Sequence, residues 1–313
     1  QNIEFLVRLT SETSVNFGGV AIDDVTVYQL CAPATITLGT SPEVCSGGTT
    51  ANLPYTATTG TPDQYSIDYD VAAEAAGFVD VVNAALPSSP IVLTVPAAAP
   101  VALYNATISV TNSVGGCGAG PTVPFTINVV AAPAATISYA GSPYCQNAGT
   151  ATVTRTGTAG GTYTAIPAGL TLNAANGDVT LGTSTPGTYT VTYSIAAAGS
   201  CPLYTTTTSI TVNPTPNAVA TPSSQTICSA NAITTIVNTG NVAGTVFNWT
   251  RNNTGTVTGI AASGAGNISG TLTNTTNAPI TVTFTITPTA NGCLGIAITA
   301  TVLVNPTPNA VAT

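Results

Sequence analysis

NPTPNAVAT, residues 213–221, returns letter for letter at 305–313. The repetition is wider than these nine letters. A Pro stands twelve residues before a Cys three times: Pro33 and Cys45, Pro133 and Cys145, Pro216 and Cys228. The flanking words agree: APATITLGTSPEVC at 32–45, AAPAATISYAGSPYC at 131–145 and PTPNAVATPSSQTIC at 214–228. Each unit carries one more cysteine, Cys117, Cys201 or Cys293, and the next unit's Pro follows at a near-constant distance. The units are therefore roughly 100, 83 and 92 residues long, and Pro308 opens a fourth. The sequence reads as a fragment of a longer tandem array. Its expected segments are 1–31, 32–130, 131–213, 214–305 and the start of a further repeat at 306–313.

Within a unit the pattern is that of short strands. The third shows ITTIVNTG (233–240), TVFNWTR (245–251), ISGTLTNT (268–275), ITVTFTIT (280–287) and IAITATVLV (296–304). Apolar and polar residues alternate with period two, and Gly, Asn and Pro separate the runs. The second unit repeats this, with Asn176-Gly177 as a hairpin signal between two short runs. DVAAEAAGFVDVVNAA (70–85) is the best helix candidate, weakened by Gly77 and a β-branched end. About seven strands per repeat fit an all-β class of tandem immunoglobulin-like sandwiches, arranged as an extended rod. A β-solenoid would need much shorter repeats.

Composition narrows the chemistry. Charged residues are 4% of the chain, with three Arg, no Lys, no His and a net charge of −8. Nothing here could neutralise a run of phosphates, so nucleic acid is excluded as a partner. No stretch approaches the ~20 apolar residues of a membrane span, so membrane insertion is not expected. Ten of the eleven carboxylates lie at or before Asp80, and only Asp178 follows. Without His or Lys the commonest general base and the Schiff-base amine are missing, and no enzyme is expected. The one dense acidic cluster is Asp63, Asp68, Asp70, Glu74 and Asp80. Asp68 and Asp70 alternate along one strand and could form an acid pair, a calcium edge or a plain solvated face. Trp249 reads as a sandwich-core residue or as a sugar-stacking platform. Tyr104, Tyr139, Tyr144, Tyr189 and Tyr193 read as core or linker packing. Asn105, Asn248, Asn252, Asn267 and Asn274 sit in Asn-x-Ser/Thr sequons that chance produces in so Asn- and Thr-rich a chain.

The cysteines read as staples. Each first Cys follows an opening strand, and each second Cys lies in a Gly-containing loop: GGCGAG, AGSCPL, NGCLGI. Zinc would need closer spacing or His partners. Equivalent positions predict equivalent bridges inside each repeat: Cys45–Cys117, Cys145–Cys201 and Cys228–Cys293. Cys31 is left over. Disulfides point to an oxidising, extracellular location.

The linker words INVVAAPAATI and ITVNPTPNAVA, the QTIC and PYCQ starts and the TVTFTITPTANGC hairpin resemble PKD-like and HYR-like immunoglobulin-type repeats of giant surface proteins in gliding, type IX-secreting bacteria. GLTLNAANGDVTLGTSTPGTYTVTYSI (169–195) also looks like bacterial cadherin-like repeats. The first thirty residues do not match the repeat. GGVAIDDVTVYQL resembles the last strand of secreted jelly-roll modules of the concanavalin-like and carbohydrate-binding kind. That resemblance makes Asp23 and Asp24 candidates for a structural Ca²⁺, the only cofactor considered. For residues 32–313 it implies a structural or adhesive cell-surface stalk or filament, with glycans, a surface polymer or further copies of itself as partners. The alternative is a spacer and carbohydrate-binding region of a multi-modular secreted polysaccharidase or protease.

Overall fold

The computed structural model describes residues 32–114 and 118–307. They form nearly all-β sandwiches of the immunoglobulin-like kind. Two compact units divide the chain. The first takes the described residues up to Pro133 together with Ala196–Leu203, and the second takes Ala134–Ile195 and Tyr204 onward.

The first sandwich runs β1 (Thr35–Leu38), β2 (Glu43–Cys45), β3 (Thr50–Leu53), β4 (Tyr55–Thr59), β5 (Gln64–Tyr69), α1 (Val71–Ala75), β6 (Val81–Ala85), β7 (Ile91–Thr94), β8 (Ala102–Thr111) and β9 (Val123–Val130). Its larger sheet has the order β2-β9-β8-β5-β6. β5, β8 and β9 pair antiparallel, while β2 runs parallel to β9 with Cys45 opposite Val130. β3 and β4 form one strand interrupted at Pro54, which cannot donate to a ladder. β3 pairs with β7 and β4 with β1, giving the facing layer. The alternation seen in the sequence is what fills the space between. Tyr104, Ala106, Ile108 and Val110 point inward from β8, and Phe125, Ile127 and Val129 from β9.

The second sandwich follows with β10 (Ala135–Ser138), β11 (Tyr144–Cys145), β12 (Thr150–Ala151), β13 (Thr154–Gly157), β14 (Thr162–Ile166), β15 (Val179–Thr180), β16 (Gly187–Ile195) and β17 (Tyr204–Asn213). Its larger sheet is β11-β17-β16-β14, again with the cysteine strand parallel to the last strand, Cys145 opposite Asn213. The core is rich in tyrosine: Tyr139, Tyr163, Tyr189 and Tyr193 pack with Ile137, Val191 and Ile210.

The third comprises β18 (Val219–Thr221), β19 (Ser224–Cys228), β20 (Asn231–Ala232), β21 (Val237–Thr239), β22 (Val246–Arg251), β23 (Val257–Gly259), β24 (Ser263–Ala265), β25 (Thr271–Asn274), β26 (Ile280–Ala290), β27 (Cys293–Leu294) and β28 (Ile298–Asn305). Its larger sheet has the path β19-β28-β26-β22-β24, and Cys228 stands opposite Asn305 on the parallel last strand. Here the core is aliphatic with one Phe and one Trp: Val282, Phe284, Ile286, Val302, Val304 and Trp249 among others. Full burial of each such side chain contributes about 1.5–3 kcal/mol.

Two local expectations change. Only Val71–Ala75 of residues 70–85 is helical, a single turn capped by Asp70, and the β-branched end becomes β6. At Asn176-Gly177 the chain does reverse, bringing Leu172 opposite Val179. The loop is longer than the two residues of a tight hairpin, because Gly177 N–H reaches back to Asn173 C=O.

Candidate functional site

The acidic cluster is built on the larger sheet of the first sandwich, and its carboxylates serve the backbone. Asp70 Oδ1 accepts from Ala73 N–H at 2.8 Å, capping α1, and its Oδ2 accepts from Asn105 Nδ2 at 2.9 Å. Asp80 Oδ1 accepts from Tyr69 N–H at 2.9 Å. Asp63 accepts from Ser113 N–H at 2.7 Å and from the Ser113 hydroxyl. The bonds to Asp70 and to Asp63 favour the charged form. The Asn105 carboxamide, then Ala73 N–H, hold Asp70 below the ordinary carboxyl value, and the Ser113 hydroxyl, then its N–H, do the same to Asp63. A general acid needs the opposite shift. Asp68 and Asp70 do share a shallow cleft with Ser41, Asn105, Thr107 and Thr126. However, Asp70 already spends both oxygens on the fold. Among the described residues no three acidic or thiol side chains gather as metal ligands would. Asp23 and Asp24, the calcium candidates, lie outside the described residues, as do Cys31 and Cys117.

Trp249 is a core residue. It is 8% exposed and meets Phe284 edge-on at 5.8 Å between ring centres. Gly264 on the neighbouring β24 lies so close that a Cβ there would fall 2.3 Å from Trp249 Cζ2. The indole is therefore covered by backbone and has no open face for a sugar. Tyr104, Tyr139, Tyr189 and Tyr193 are buried as expected, and Tyr144 partly so. Tyr104 and Tyr189 each donate to the carbonyl four residues upstream, Pro100 and Thr185, at the start of the penultimate strand. This is the tyrosine-corner arrangement of immunoglobulin-like sandwiches. In the third sandwich Val282 takes that place.

The cysteines overturn the in-repeat pairing. Cys45 is bonded to Cys201, and Cys145 to Cys293, while Cys228 is free and exposed. Each bridge joins the first cysteine of one repeat to the second cysteine of the next. Strand register explains why. Cys145 stands opposite Asn213, the last residue of β17, and Cys201 lies in the turn that precedes β17. At about 3.4 Å per residue the ten residues of β17 hold the two cysteines about 30 Å apart. A disulfide tolerates no more than about 7 Å between Cα atoms. Cys228 and Cys293 are kept apart in the same way by β28.

The second cysteines are presented on tight turns. Asn291 and Gly292 both have positive φ, 50° and 77°, the arrangement of a type I′ hairpin linking β26 to β27. Ala198 and Cys201 exchange backbone hydrogen bonds around Gly199, whose φ is 55°. Polar groups hold the turn of the third repeat onto the second. Asn213 Nδ2 donates to Asn291 C=O at 3.1 Å, and Asn147 Nδ2 donates to Leu294 C=O at 3.1 Å. The sulfur of Cys293 is fully buried there. The sequence pattern did not single out Asn213 and Asn147, whose amides donate to this turn beside the bridge.

Residues 225–308 match the PKD-like domain family. No curated protein matches the chain. Among solved structures, it is similar to immunoglobulin domains 1–5 of Sidekick-1, at 12% identity and a TM-score of 0.33, covering 87% of this chain and 59% of that one. Drosophila N-cadherin EC1–4 matches at 12% identity and 0.34, covering 88% and 76%. A SusE-like surface located polysaccharide binding protein from Bacteroides thetaiotaomicron matches at 12% and 0.27, covering 87% and 61%.

Proposed function

We propose that this chain is a load-bearing segment of an extracellular surface protein, made of the repeats 32–130, 131–213 and 214–305, and used for attachment at a distance. One observation carries this: both disulfides among the described residues link successive repeats instead of closing a repeat on itself. An in-repeat bridge protects one sandwich and leaves the linker as the sole connection to the next. A bridge between repeats adds a second covalent route beside the linker, so tension has two paths. Disulfides persist in oxidising surroundings, which supports an exported protein. The surface of the later repeats is Thr, Asn and Ser with almost no charge, suited to neutral, hydroxyl-rich surroundings.

The consequence is measurable by single-molecule stretching. With both bridges closed, the shortest covalent route from residue 32 to residue 307 runs 32–45, back along 201–145 and out along 293–307. That is roughly 85 residues in place of roughly 275, so the fully unfolded length falls from about 950 Å to about 300 Å. Reduction should restore the longer extension. Equal extensions with and without reductant would refute the proposal.

A further inference from the structure

We propose that Cys228 and Asn305 form a junction that receives the cysteine-bearing turn of a following repeat of the same polypeptide. This rests on the bridge pattern and not on the mechanical role. Cys228 is exposed and free, while its two counterparts, Cys45 and Cys145, are bonded. The three sites are built alike. Each cysteine ends a short strand running parallel to the last strand of its sandwich: Cys45 opposite Val130, Cys145 opposite Asn213, Cys228 opposite Asn305. The next residue's N–H then caps that last strand's carbonyl: Ser46 to Val130, Gln146 to Asn213, Ser229 to Asn305, at 2.8–2.9 Å.

The second and third sites agree further. Asn213 and Asn305 hold the same register, and in the filled site Asn213 Nδ2 grips the carbonyl of Asn291, two residues before the bonded Cys293. Asn305 is therefore placed to grip the corresponding carbonyl of an incoming Asn-Gly-Cys turn. The direction is also fixed, since each bridge runs from a first cysteine to the second cysteine of the repeat that follows it. Residues 305–313 restart the repeat with the words of 213–221.

The bond forms by exchange with a small disulfide oxidant. The Cys228 thiolate attacks one sulfur of oxidised glutathione and expels a glutathione thiolate. The incoming cysteine's thiolate then attacks Cys228 Sγ and expels the second. Two protein thiols become one disulfide, and one oxidised glutathione becomes two reduced ones.

The test appends a second copy of residues 222–313 after Thr313, which continues the repeat without new junction sequence. Thr226→Ser and Ile296→Val, made only in the appended copy, act as mass tags at exposed positions. After oxidation with glutathione, peptide mapping should recover the untagged Cys228 peptide joined to the tagged Cys293 peptide. A tagged–tagged bridge, an alkylatable untagged Cys228, or a dimer of chains linked through the untagged Cys228 would overturn the proposal. Asn305→Ala in the extended chain should shift that bridge's equilibrium toward reduction about fivefold, the fold-change of one hydrogen bond of about 1 kcal/mol. An unchanged equilibrium counts against the cradle. A second measurement needs no appended domain. The 313-residue chain is oxidised with a synthetic peptide of residues 280–298 and with its scrambled form. Cys228 should capture the hairpin peptide in preference, and equal capture contradicts the proposal.

Discussion

The first and third sandwiches solve one problem with different side chains. Both must satisfy backbone groups where strands end and turns begin. The first uses carboxylates: Asp63 holds Ser113, Asp70 caps α1, and Asp80 holds Tyr69 N–H. The third contains no carboxylate and uses amides instead. Asn217 and Asn241 exchange backbone-to-side-chain bonds at 2.8 Å each. Asn252 Oδ1 accepts from Thr283 N–H, and Asn253 Nδ2 donates to Thr281 C=O. Even Arg251 has carbonyls for partners, donating through Nε to Ile260 and through a terminal nitrogen to Val257. The frame asks for a donor or an acceptor at a place and is indifferent to charge. Charge is thus free to differ between repeats while the strand order stays the same.

The sharpest contrast in stability lies at Asn274. It is 6% exposed and donates to Ala278 C=O and Val304 C=O while accepting from Thr276 N–H. Asn274→Ala should strand these buried groups and cost the third sandwich about 2–3 kcal/mol. Denaturant unfolding, with hydrogen exchange read repeat by repeat, checks this. A loss below about 0.5 kcal/mol would mean water replaces the amide without penalty.

A smaller effect separates the two sandwiches by pH. Asp63 and Asp70 are held below the ordinary carboxyl value of 3.8 by their hydrogen bonds. The folded state therefore binds its protons later than the unfolded one. Their contribution is complete above that value and disappears as pH falls through the lowered folded values. Acidification below about pH 4 should loosen the first sandwich and leave the third unchanged, as seen by hydrogen exchange. Both carboxylates are exposed, so the loss is modest. Equal acid sensitivity in the two repeats would break the comparison.

Much of this was legible in the letters. The strand runs of the third repeat, such as ITVTFTIT and IAITATVLV, fall on β26 and β28 because alternation records which face is buried. The acidic cluster was legible only as composition. Which carboxylate meets Ser113, some 50 residues away, depends on sheet register that the sequence does not print. The bridges are not legible in the sequence for a specific reason. Three equal spacings fit pairing within a repeat and pairing shifted by one repeat equally well. The deciding fact is that Cys145 stands at one end of β17 and Cys201 precedes the other. That follows once the cysteine strand is seen to run parallel to the last strand, a pairing that the alternation pattern leaves open.

The central claim is that cysteines join neighbouring repeats, and disulfide mapping of the non-reduced protein tests it most directly. Chymotryptic peptides should contain Cys45 linked to Cys201 and Cys145 linked to Cys293, with Cys228 alkylated. Peptides linking Cys145 to Cys201, or Cys228 to Cys293, would show that each repeat closes on itself and would contradict the account.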